Sequence, residues 1–157
     1  MTDLELFIQS HRRRPISATD WSKRKEKWLN ELGMLLSGIQ EKLVSAGVPS
    51  ADIHSTENSL NEEYLGQYDA PGLVIHIGGN EVVFKPKGSR VMGAFGRVDV
   101  LGPRGRARLI ADVEEGDSSD EPLDREWQWY VYPEHGRKGH FLFDEDSLVP
   151  LLEIVLG

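Results

Sequence analysis

Apolar residues recur at spacings of three, four and seven from Trp21 through Trp28, Leu32, Leu35, Leu36 and Ile39 to Leu43. That period matches a helical turn of about 3.6 residues, so the segment is predicted as one long amphipathic helix. Thr19 is placed to cap it, Asp20 suits its first turn, and Gly47 before Val48-Pro49 is a stop. Lys23, Arg24, Lys27, Glu31 and Lys42 are assigned to the opposite, wet face. A shorter helix is expected over residues 2–10. There Thr2 and Glu5 have capping-box spacing, and Leu4, Phe7 and Ile8 share a side before Arg12-Arg13-Arg14-Pro15 ends it.

Beyond residue 50 the period changes to two. Short β-prone runs are cut by Gly and Pro at close spacing, the pattern of an antiparallel meander. Residues 55–59 are polar and read as an edge strand or a loop. Residues 62–68 read as a strand ending in a turn at Asp69-Ala70-Pro71-Gly72. Strands 73–77 and 81–85 are joined by a hairpin at Gly78-Gly79-Asn80. A turn at Pro86-Lys87-Gly88 leads to a strand over 90–101, kinked by Gly93 and Gly96. Strands 106–112 and 127–132 follow, separated by an acidic loop. Residues 141–143 read as a short link. Asp144 caps a last helix, in which Pro150 requires a kink or a later start. The expected fold is a single α+β domain over residues 1–157. It has a helical layer at 1–47, an antiparallel sheet of about six strands at 53–132, and a C-terminal helix at 144–156.

Alternation divides the strands into two faces. One set holds Leu73, Ile75, Ile77, Val82, Phe84, Val98, Val100, Ala107, Leu109, Trp127, Trp129 and Val131. This oily side is expected to receive the long helix. The other set holds Val74, His76, Val83, Lys85, Arg97, Asp99, Leu101, Arg106, Arg108, Ile110, Gln128, Tyr130 and Tyr132. A slip of one residue in any strand would exchange its two sets. The polar side is either a solvated sheet surface, with Arg97 paired to Asp99, or a binding face. In the second reading Arg97, Arg106 and Arg108 hold a carboxylate or phosphate, and Tyr130 and Tyr132 stack or donate.

Length and composition suit one domain with a full core, and the absence of cysteine excludes disulfides, thiol chemistry and Cys-type metal sites. The acidic start of the chain does not suit a signal peptide, and no apolar run is long enough to span a membrane. The expected location is the cytoplasm. The net charge of −8 is uneven: residues 1–47 carry +2, residues 48–110 carry zero and residues 111–157 carry −10. Asp112, Glu114, Glu115, Asp117, Asp120, Glu121, Asp124 and Glu126 form a dense acidic run without the ligand order of an EF-hand. It reads as a solvated loop or as a docking element that steers a basic partner. Arg12, Arg13 and Arg14, with the lysines of the long helix, are a local basic cluster through which nucleic acid could be touched.

Motifs for catalysis are weak. His76 sits mid-strand and would need an orienting carboxylate, for which Asp99 is the candidate, with Arg97 beside it. His135 and His140 are five apart in a loop, a spacing that fixes no metal site. The glycines around Gly93 and Gly96 lack the Gly-Lys-Ser/Thr ending of a phosphate loop, and bulges or close packing account for them better. No cofactor is expected.

The strings Leu65-Gly-Gln-Tyr-Asp-Ala-Pro-Gly and Gly93-Ala-Phe-Gly-Arg-Val-Asp-Val-Leu-Gly resemble those of small bacterial proteins, a resemblance that implies no activity. The function expected from these features is a non-enzymatic protein-binding module. By analogy with bacterial immunity proteins and antitoxins, it would neutralise a basic partner. A nucleic-acid-linked accessory of a defence system is the alternative, and an enzyme using His76, Asp99 and Arg97 is a third.

Overall fold

The computed structural model describes residues 4, 18–63, 65–89, 95–113, 127–134 and 139–157. The expected first helix (apart from Leu4), the Arg12–Arg14 cluster and the run containing Glu114, Glu115, Asp117, Asp120 and Glu121 lie outside the described residues. The architecture is α+β. Helix α1 (Ala18–Ser45) leads through a 3₁₀ turn (Ser50–Asp52) into strands β1 (Ile53–Glu62), β2 (Gly66–Ile77), β3 (Asn80–Gly88), β4 (Gly96–Leu101), β5 (Arg106–Val113), β6 (Trp127–Pro133) and β7 (Phe141–Leu142). Helix α2 (Leu148–Leu156) ends the chain. All seven strands form one antiparallel sheet in sequence order.

The predicted alternation holds across the central strands. Val82, Phe84, Val98, Val100, Leu109 and Val131 are fully buried, and Trp127 and Trp129 nearly so. They meet the α1 stripe of Trp28, Leu32, Leu36, Ile39 and Leu43, together with Leu151 and Val155 of α2, in one core. Each such side chain contributes roughly 1.5–3 kcal/mol on burial, before the entropy of ordering. Glu31 departs from its expected wet position. It is buried and ion-paired to Lys27 at 2.7 Å, one helical turn earlier. Thr19, expected to cap α1, lies inside the helix, which is described from Ala18 onward.

The larger departure is in β2. Asp69-Ala70-Pro71-Gly72 is not a turn; the chain runs straight through it, Ala70 paired with Asn58 and Pro71 with Glu57 of β1. The reversal comes earlier, between Glu62 and Gly66. Residues 53–62, the uncertain polar stretch, are therefore a full ten-residue strand. Proline is tolerated for a geometric reason. The two-residue hairpin at Gly78-Gly79, both at positive φ, directs the amide edges of odd-numbered β2 residues toward β3. The β2–β3 ladder begins only at Leu73, so Pro71 deprives no partner of a donor. Ala70 and Gly72 are buried, and so are Leu73 and Ile75, so the buried phase of the strand switches at Gly72.

Helix α2 starts at Leu148, the later start that Pro150 requires, and Pro150 falls in its first turn. The Ser147 hydroxyl oxygen lies 2.7 Å from the Leu142 carbonyl and 2.8 Å from Asp144 Oδ1, fixing the entry. That hydrogen bond lowers the pKa of the exposed Asp144 carboxyl.

Gly96 lies directly under Trp28: a Cβ there would stand 2.4 Å from the indole. Gly33, in the middle of α1, has open space around it. Gly96→Ala is therefore expected to lower the unfolding free energy by about 1–3 kcal/mol through overpacking. Gly33→Ala is expected to raise it by about 0.5–1 kcal/mol through helix propensity. Urea titrations of the two variants beside the wild type measure both.

Candidate functional site

Helices cover one side of the sheet; the other side, across β3 to β6, is open among the described residues. The register orders its side chains into rows. Lys85, Asp99, Arg108 and Tyr132 stand in line across β3, β4, β5 and β6. The adjoining row is Arg97, Ile110, Tyr130 and Leu142. On the other flank, Val83, Leu101 and Arg106 are paired in the same manner. The spacing is about 5 Å between neighbouring strands and about 7 Å between rows. The expected site residues Arg97, Asp99, Arg106, Arg108, Tyr130 and Tyr132 are thus gathered on one surface.

Arg97 and Asp99 form the anticipated pair, with Nε to Oδ1 at 2.7 Å and a second guanidinium nitrogen to Oδ2 at 3.2 Å. The fork matches the carboxylate, and both groups are partly buried. Lys87 approaches the same carboxylate at 4.0 Å. Strand β3 runs on past Pro86 instead of turning there, so Lys87 follows Lys85 onto the open side, and the register shifts between Pro86 and Gly88. Arg106, Arg108 and Lys85 are exposed. The Asp99 carboxylate therefore has Lys85, Lys87, Arg97 and Arg108 around it, while Asp112, opposite Gln128, and Glu134, beside Arg106, place two further acids on the same face.

An aromatic ledge borders the cations. Tyr132 stacks on His140, with centroids 4.6 Å apart and planes 12° apart, and Tyr130 meets the same imidazole edge-on at 5.9 Å. The Tyr130 hydroxyl donates to Gln128 at 3.0 Å. Lys85, Lys87 and His140 belong to this surface although the sequence reading did not include them in the site. The alternation carries the signal for Lys85, and for Lys87 only once β3 is known to run past Pro86. Nothing local signals His140, whose position depends on the short β7.

His76 shares the face but not the cluster. It pairs with Glu81 at the far corner and meets the ring of His54 edge-on at 5.6 Å. Two strands and four residues of β3 separate it from the position of Asp99, roughly 17 Å by strand geometry. The three residues His76, Asp99 and Arg97 are therefore not assembled as a catalytic group. Among the described residues no three His, Asp or Glu side chains are grouped to hold a metal ion. No described helix is long and apolar enough to cross a membrane.

A second polar cluster lies at the end of the β1–β2 ribbon. The Trp28 indole N–H donates to the Tyr68 hydroxyl at 3.0 Å, and that hydroxyl donates to Glu62. Glu62 also accepts from the Ser89 amide at 2.9 Å, and Arg24 donates to the Ser89 carbonyl at 3.1 Å. The cluster joins α1, the ribbon and β3; its groups are turned toward one another rather than toward a cavity.

Compared with family models, with curated proteins and with solved structures, the chain matches none. Its function has to be argued from the surface itself.

Burial, then the hydrogen bond and charge of Glu62, raise the Tyr68 pKa above its ordinary value of 10.0. The folded state thus keeps a proton that the unfolded chain releases. The stability from this group is complete below about pH 10 and is lost as pH rises further. Urea midpoints at about pH 8 and about pH 11 are expected to differ less in Tyr68→Phe than in the wild type. An equal alkaline loss in both proteins would show that Tyr68 does not carry it.

Proposed function

We propose that the protein is a non-enzymatic protein-binding module whose contact surface is the open face of the sheet. One observation carries this reading: helices cover one side of the sheet, while Lys85, Lys87, Arg97 and Arg108 gather round the Asp99 carboxylate on the other, beside an aromatic ledge. A local gathering of cations in a chain of net charge −8 favours a contact role over a merely solvated one. Partly desolvated Arg97, the Tyr132–His140 stack and half-buried Ile110 are the side-chain types that anchor protein interfaces. Exposed Arg106 and Arg108 supply steering.

The immunity- or antitoxin-like role belongs to this class of function, and its support is the charge of −10 over residues 111–157. A basic partner would meet that charge, with Glu114, Glu115, Asp117, Asp120 and Glu121 at its centre. A nucleic-acid-linked role draws on the sheet arginines. An enzymatic role draws no support from the separation of His76 and Asp99.

The test compares partner recovery by the wild type and by Arg106→Ala/Arg108→Ala. Both side chains are exposed, so the variant is expected to fold with little change in thermal midpoint. A partner recovered by the wild type is expected to bind the variant about tenfold or more weakly, with a slower association rate. Undiminished binding by the folded variant would remove the sheet face as the contact surface.

A further inference from the structure

We infer that the open face takes an acidic, extended polypeptide segment lying across β3 to β6. This inference rests on the binding-module reading and adds the chemistry of the partner, which is opposite in sign to the one expected from net charge. Net charge describes the chain as a whole, whereas a docked ligand meets the local field. Around Asp99 that field is positive.

Three features favour a polypeptide carrying spaced carboxylates over a polyphosphate. First, the cations are spaced and interrupted. Lys85 and Arg108 lie on either side of Asp99, about 10 Å apart across two strand intervals. Asp99 would face a phosphate of any backbone laid evenly over the row. A peptide can place a neutral residue there and carboxylates to each side. Second, the ring faces that would receive a base are partly used. Tyr132 is already stacked on His140, and Tyr130 is edge-on to the same ring. Third, aliphatic side chains separate the charges. Ile110 and Leu101 are half-buried and Leu142 is 42% exposed, which suits apolar side chains alternating with acids along an extended segment. A dense polyanion would in addition meet the repulsion of the whole chain at low salt, where sparse carboxylates meet less.

Asp99 has a distinctive consequence in this arrangement. It occupies the Arg97 fork, so it competes with an incoming carboxylate. Asp99→Asn removes the negative charge that lies between Lys85 and Arg108 and frees the guanidinium, and is expected to tighten binding of an acidic peptide several-fold. A variant that merely disturbed the surface would weaken binding instead.

The experiment uses the full chain, labelled with ¹⁵N, and three probes of equal length: an alternating Glu/Tyr peptide, an alternating Lys/Tyr peptide and an oligothymidylate. At about 50 mM salt the acidic peptide is expected to shift the amide signals of Arg97, Arg108, Ile110 and Tyr132. Its affinity is expected to fall about tenfold as salt is raised to about 200 mM. Lys85→Ala/Arg108→Ala is expected to weaken it by a similar factor, and Asp99→Asn to strengthen it. Tighter binding of the oligothymidylate at those residues would overturn the inference in favour of nucleic acid. No shift with the acidic peptide, shifts confined to other surfaces, or weakening by Asp99→Asn would also overturn it. A native partner that maps to this face but presents a basic surface would overturn the acidic assignment while leaving the binding-module reading intact.

Discussion

The indole of Trp28 is the contact on which the rest of the arrangement depends. It is fully buried, and it lies 6.4 Å from Trp127 and 6.3 Å from Trp129 between ring centroids. Its ring presses on the backbone of Gly96, and its one polar atom reaches Tyr68. One side chain of α1 thus touches β4, β6 and the β1–β2 ribbon at once. Truncation of a buried tryptophan costs about 3–5 kcal/mol, a large part of the stability of a domain this size. A buried indole N–H usually finds a hydrogen-bond partner, and for Trp28 the Tyr68 hydroxyl of β2 supplies it. The hydrophobic contact and the polar network therefore meet on the same side chain.

That anchor determines which side of the sheet is free. Once α1 and α2 occupy the oily side, every residue of opposite parity in β3 to β6 is presented outward. The gathering of Lys85, Arg97, Arg106 and Arg108 follows from register and needs no pocket. The described groove, along Ser37, Gln40, Glu41, Val44 and Ser45 of α1, lies on the helical layer instead. A flat, charged surface with a stacked aromatic edge is suited to recognition by complementarity.

The open face also shows why overall charge is a poor guide to local partners. Acidic residues account for the sign of the chain, and half of them lie after residue 110, whereas β3 to β5 bring cations from residues 85–108 together. Asp99 moderates that concentration and fixes Arg97 in a defined direction. A bidentate, partly buried pair of this kind contributes orientation more than net stability.

Local sequence was enough to determine the amphipathic stripe of α1, the Gly78-Gly79 hairpin and the parity of each central strand. Those features depend on periodicity and on turn chemistry within a few residues. The shared surface of Arg97, Arg106, Arg108, Tyr130 and Tyr132 was legible for the same reason. Tertiary structure alone decided what Asp69-Ala70-Pro71-Gly72 does, because turn-forming residues also fit within a strand when the neighbouring strand continues to pair. It also decided the burial of Glu31, the outward placement of Lys87 past Pro86, the stacking of His140 on Tyr132 and the distance between His76 and Asp99. Each of these depends on which strand or helix lies alongside, and short-range alternation does not encode that.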